Sequence, residues 1–138
     1  MRWRRTRAIN EEKGQSTVEF ALILPMLVLL VFGALEIGRV MNAWLIVTQA
    51  SREGARVAAI SCSSDTGCLT QVLTRVDGSL SGLNSASART TLLGSPYVSG
   101  NAVTVQVQYD IPLITPLIGA FFPANPFTVS GSTTMRLE

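Results

Sequence analysis

Few residues of this chain are suited to chemistry, and the one that stands out is an acid set against a greasy segment. Glu19 heads sixteen residues, 20–35, that carry no charge and nothing more polar than Pro25 and Gly33. An ionised carboxylate dragged to a bilayer centre costs roughly 2.5–3.5 kcal/mol, so an acid at that boundary is by default a functional residue. The second candidate pair is Cys62 and Cys68, which flank the polar loop 63–67. In an oxidising compartment an even cysteine count fits one disulfide, and closing so short a loop stabilises by about 2 kcal/mol; two free thiols are the alternative. The remaining inventory excludes more than it offers. There is no His and a single lysine, Lys13. That removes imidazole acid–base chemistry, Cys/His metal centres and, beyond the basic start, any lysine base. Serines and aspartates are present, but no base is placed to activate a serine. The expectation is a protein that is not an enzyme and takes neither metal nor cofactor.

The elements that must position Glu19 follow from charge and periodicity. The 138 residues are 47% hydrophobic and 14% charged, more apolar than an ordinary soluble domain. Five cations (Arg2, Arg4, Arg5, Arg7 and Lys13) precede the apolar run, against Glu11 and Glu12. From Gln15 onward six arginines face seven acids. The basic start is therefore a topology signal, predicting the N-terminus inside and the C-terminal domain outside. No later stretch concentrates basic and aromatic residues, which argues against a nucleic-acid partner; membrane lipid is the expected surroundings of residues 20–35.

Residues 1–14 read as a basic leader that does not fold. Helix is predicted over about 15–60, with Ser16 or Thr17 as N-cap and Glu19 in the first turn. At 1.5 Å per residue such a helix is roughly 65 Å long, so only its first half, about 20–38, is expected in the membrane. Pro25 should kink it near Leu22. From Glu36 the pattern turns amphipathic, with Ile37, Val40, Met41, Trp44 and Val47 at helical spacing. Trp44 fits either a membrane-interface belt or a packed core. Ala50, Ser51, Gly54, Ala55, Ala58 and Ala59 form a small-residue surface that another backbone can approach, as do Ala34 and Gly38. Arg52, Glu53 and Arg56 read equally as an ion-paired or a solvated face.

Beyond the cysteine loop, Leu69, Val72, Leu73, Val76 and Leu80 predict a second helix of about fifteen residues, with Gly82 as its stop. Residues 84–88 read as loop and 89–93 as a short strand. Val103, Val105, Val107, Tyr109 and Ile111 alternate with polar residues, the pattern of a half-buried strand, and Phe127 to Leu137 alternates again as its antiparallel neighbour. The apolar, proline-broken residues 114–122 are expected to cover the sheet edge as loop or short helix. The fold class is thus α+β: a long N-terminal membrane-spanning helix, then a small extracytoplasmic domain (61–138) with a helix packed on an antiparallel sheet.

Gly14, four residues, then Glu19-Phe20, after a basic leader and before an apolar helix, resembles the processing site of type IV prepilins. The run Val18-Glu19-Phe20-Ala21-Leu22 with Pro25, then residues 33–38 containing Glu36, then Ala50-Ser51-Arg52-Glu53-Gly54-Ala55-Arg56, resembles the TadE-like family of pilus-assembly proteins. The ending Met135-Arg136-Leu137-Glu138 is also similar to that family. The resemblance implies a minor pilin or pseudopilin of the tight-adherence (Flp, type IVc) system, made in the bacterial inner membrane. It implies cleavage by a prepilin peptidase between Gly14 and Gln15. It also implies pairing of Glu19 with the N-terminal amine of a neighbouring subunit, and assembly with other pilins or pseudopilins on the pilus platform, in adhesion or secretion. Pairing would neutralise two charges that cannot cheaply stay alone in a packed helix core. Gln15 replaces the phenylalanine usual at the first position of mature major pilins. Phe20, where major Flp pilins have tyrosine, together with a folded outer domain, favours a minor component.

Two rival readings use the same residues. A secretory signal peptide would also be basic then apolar, but Gly33-Ala34-Leu35-Glu36 is a poor small-x-small cleavage site and the helical pattern simply continues. An uncleaved single-pass anchor of the TadG-like kind, presenting an extracytoplasmic interaction domain, is the stronger alternative; Glu19 is then a first-turn acid reaching back to water.

Overall fold

The computed structural model describes residues 5–63, 67–94, 96–114 and 126–138, with side chains of the first helix described from Gly14 onward. The elements in order are α1 (Arg5–Ser61), α2 (Cys68–Ser79), a 3-10 turn (Ser85–Ser87), β1 (Ala88–Leu93), β2 (Ala102–Ile111) and β3 (Phe127–Arg136). The chain is α+β, as the alternation of residue types predicts. It divides into two compact units, Met1–Glu36 and Ile37–Glu138, with the division inside α1.

The first unit corrects the reading of the leader as unfolded. Among the described residues the helix is already formed at Arg5, so Ser16 and Thr17 lie inside it rather than at its N-cap. Residues 5–13 contain neither Pro nor Gly, and extending a helix already nucleated costs far less than starting one. The helix continues through Pro25, which gives up one backbone bond to the carbonyl four residues back. Around residues 20–35 the apolar side chains are exposed on all sides; Leu22, Met26 and Leu30 are 75%, 78% and 70% exposed. This helix, apolar all round and covered by nothing among the described residues, is long and greasy enough to cross a membrane.

In the second unit the rest of α1 lies on a three-stranded antiparallel sheet of order β1-β2-β3. The registers are unbroken, from Ala88 opposite Tyr109 to Leu93 opposite Thr104, and from Ala102 opposite Arg136 to Ile111 opposite Phe127. Alternation puts Val103, Val105, Val107, Tyr109 and Ile111 of β2 on the covered face, where each is buried. Val47, Ala50, Ala55 and Ala58 of α1 and Val72 and Val76 of α2 fill the core from the other side. Fully burying each valine contributes about 1.5–3 kcal/mol.

Two glycines permit this packing. A Cβ on Gly131 would lie 2.8 Å from the Thr48 Cα and 2.9 Å from the Val47 carbonyl oxygen, so α1 sits directly on the backbone of β3. A Cβ on Gly54 would lie 2.6 Å from Val76 Cγ2, so α2 is seated against α1. The hydroxyls of Ser51 and Thr133 lie 2.9 Å apart, in hydrogen-bond contact across the α1–β3 contact.

The second helix is shorter than its periodicity predicts, twelve residues rather than about fifteen. It ends at Ser79, before the proposed stop Gly82, which sits in the following turn with φ +82°. Asp77, Gly78 and Ser79 are weak helix formers, and leaving the helix lets Leu80 enter the core at 3% exposure. Part of the segment read as loop, 84–88, is the 3-10 turn, held by the Asn84 side chain accepting from the Ala86 amide at 3.1 Å. The stretch read as covering the sheet edge lies, from 115 on, outside the described residues.

Candidate functional site

The residues singled out for chemistry lie along α1. Gly14 is exposed, and a Cβ there would meet nothing within 4 Å. A helical glycine costs roughly 1 kcal/mol relative to alanine, and no contact among the described residues repays it here. The same holds for Gly33 and Gly38, where a Cβ again meets open space. Gly78 of α2 is likewise open, so among the described residues four helical glycines have no packing role.

Gln15 and Glu19 stand one turn apart, and the Gln15 amide Nε2 donates to Glu19 Oε1 at 3.2 Å. The pair is exposed, with Phe20 beside it 62% exposed. Gln15 thus occupies one of the carboxylate oxygens and leaves the group otherwise accessible. The Gly14–Gln15 bond is itself helical, whereas a protease needs its substrate extended; the helix must open there to be cut. Glycine, the weakest helix former after proline, lowers the cost of that opening. A second acid, Glu36, is 6% exposed and already engaged with a partner. Sequence reasoning gave it no role of its own, and its place at the end of the apolar run is the signal that marks it.

Past residue 36 the single apolar stripe read from periodicity resolves into two faces. Val40, Ala43 and Val47 turn toward the sheet, whereas Ile37, Met41, Trp44 and Leu45 remain 44–66% exposed. Trp44 is therefore not a core tryptophan. The small residues Ala50, Ser51, Gly54, Ala55, Ala58 and Ala59, read as a surface open to another backbone, are buried under the chain's own sheet and second helix. The Arg52-Glu53-Arg56 face is likewise not paired within itself. Glu53 accepts from Arg75 of α2 at 2.9 Å, and Arg52 and Arg56 are exposed.

Cys62 and Cys68 are joined by a disulfide, with Cα atoms 5.0 Å apart, tying the end of α1 to the first residue of α2. Both are buried, at 6% and 4% exposure.

These features form a helix whose apolar start, glycine–acid spacing and small-residue continuation are one uninterrupted element. Against known families, the sequence model for TadE-like protein matches residues 14–56. Over that segment the chain is similar to the TadE-like family. The match begins at Gly14 and ends at Arg56, so what is shared is α1; the TadE-like segment holds Gln15, Glu19, Phe20, Pro25 and Glu36 but neither cysteine nor any strand. A search of the curated proteins and one of the solved structures found no match.

Proposed function

We propose that this chain is a minor pilin or pseudopilin of a tight-adherence (Flp, type IVc) pilus system. In this reading it enters the inner membrane with its basic end in the cytoplasm and its α+β domain outside. A prepilin peptidase cuts after Gly14, and the TadE-like helix then joins other pilins on the assembly platform. The work is assembly rather than catalysis.

The observation that carries the proposal is that the matched segment starts at the glycine and is confined to the helix. Three features support it. Gly14, Gly33 and Gly38 each cost helix stability without an internal return, as expected where a protease or a neighbouring helix must approach closely. Ile37, Met41, Trp44 and Leu45 stay exposed although the domain beside them is folded, leaving an apolar stripe for another subunit's helix. Glu19 is held by Gln15 at one oxygen only, leaving an accessible carboxylate for the amine that a cut after Gly14 would create on a neighbouring subunit.

Mass spectrometry of the protein purified from its native membrane tests this directly. A polypeptide beginning at Gln15 supports the pilin reading. One beginning at Met1 or Arg2 supports the uncleaved anchor, a reading favoured by the helix running without a break through the Gly14–Gln15 bond.

A further inference from the structure

A cut after Gly14, on which this inference rests, makes Gln15 the first residue of the chain. The amide nitrogen of Gln15 is no nucleophile, but the amine that replaces it is one. An α-amine is a weak base beside lysine, and about a tenth of it is uncharged at neutral pH. This amine would also head α1, and the positive end of a helix favours the uncharged form. An electrophile lies within the same residue. The side-chain carboxamide carbon, Cδ, closes a five-membered ring when the α-nitrogen reaches it.

Little holds that carboxamide back. Gln15 is exposed, and its Nε2 donates to Glu19 Oε1 at 3.2 Å on the helix surface. In that bond the side chain reaches toward the next turn, so it must let go before it can curl onto its own nitrogen. An exposed pair four residues apart slows such a step by only about twofold. The cut removes the other restraint, because a nitrogen no longer fixed in a peptide plane can turn its lone pair toward Cδ.

We propose that Gln15 is a self-modification site, closing to a pyroglutamyl ring in cut chains that have not joined an assembly. The α-nitrogen attacks Cδ and an N–Cδ bond forms. The Cδ–Nε2 bond breaks, and Nε2 leaves as ammonia with the proton that the attacking nitrogen gives up. The step is intramolecular and needs no co-reactant. It replaces the terminal cation by a neutral lactam. A chain whose amine already meets the Glu19 carboxylate of a neighbouring subunit is spared, because that contact keeps the amine charged and therefore not nucleophilic. Cyclisation thus marks chains that were cut and left over. Their lactam N–H still donates, but it cannot cancel a neighbour's charge, so they enter a packed helix core poorly.

The test is mass spectrometry of the full chain from its native membrane, separated into chains that co-purify with other pilins and chains that do not. The tryptic peptide 15–39 reports the state of Gln15. In the unassembled pool it should be lighter than the sequence by one ammonia, increasingly so after synthesis is stopped. It should also resist Edman degradation until a pyroglutamyl aminopeptidase is added. The assembled pool should keep the open glutamine. Glu19→Ala, which removes both the hydrogen bond and the ion pair, should become blocked throughout, about twofold faster than the unassembled parent. Gln15→Ala, which has no carboxamide, should keep its amine. An open Gln15 in both pools, equal blocking of both, a persisting amine in Glu19→Ala or a block in Gln15→Ala would overturn the proposal and leave the cut at Gly14 standing. A chain beginning at Met1 or Arg2 would overturn the cut, and the cyclisation with it.

Discussion

Replacing Gly131 with alanine tests how α1 is seated on the sheet, and through it how the stripe from Ile37 to Leu45 is presented. The added methyl would lie 2.8 Å from the Thr48 Cα, 2.9 Å from the Val47 carbonyl oxygen and 3.0 Å from the Thr48 nitrogen. Carbon–carbon contacts relax only at about 3.5–4.0 Å, so roughly 1 Å of separation has to be found. All three obstructing atoms are main chain inside a helix, and none can rotate aside. The helix must lift, loosening Val47 and Ala50, both at 0% exposure, and stretching the Ser51–Thr133 contact. Overpacking of this kind costs about 1–3 kcal/mol, and a backbone obstruction belongs in the upper half of that range. Alanine recovers about 0.5–1 kcal/mol as the better strand residue, leaving a net loss of about 2 kcal/mol. For a folded unit of this size that lowers the midpoint by about 8–16 °C. The assay is thermal unfolding of the full chain in detergent, followed by near-ultraviolet circular dichroism. Gly78→Ala in α2 is the control: its Cβ meets nothing within 4 Å, so stability should rise by about 0.5–1 kcal/mol. A Gly131→Ala variant within about 0.5 kcal/mol of the parent would refute the seating of α1 on β3.

Three further outcomes are expected. Gly14→Ala should slow processing by about fivefold through helix stabilisation of about 1 kcal/mol, whereas Gly14→Lys should abolish it; equal processing of the two, read by gel shift, would count against the cleavage site. Glu19→Ala should be cut normally yet fail to enter the assembled machine, measured by co-purification with other pilins, and normal incorporation would remove the pairing role. Cys62→Ser with Cys68→Ser should cost about 2 kcal/mol in denaturant unfolding, and an unchanged midpoint would show that the loop 63–67 needs no closure.

Local pattern made much of this molecule legible. Strict alternation places β2 to within a residue of where it lies, because one face of a strand must be apolar when only one face is covered. The uncharged run 20–35 announces a membrane-compatible helix for the same reason: composition alone decides whether a segment tolerates lipid. The glycine–acid spacing falls at the head of the TadE-like match.

What could not be read was which surface meets which. Ile37, Val40, Met41, Trp44 and Val47 form one helical stripe in sequence, yet Val40 and Val47 face the sheet and the other three face out. Periodicity reports that a helix has an apolar side, not how wide its partner is. The small residues from Ala50 to Ala59 look the same whether the approaching backbone is a neighbour's or the chain's own, and only the position of Gly131 beneath Val47 and Thr48 identifies it as β3. Glu53 finds Arg75 rather than Arg52 or Arg56 because α2 is brought alongside α1, twenty-two positions away in sequence. Sequence by itself determined the elements, since they follow from each residue's own preference for water, lipid or backbone shape. Tertiary structure alone decided the pairings, since a contact depends on two surfaces meeting and each carries only half of the description.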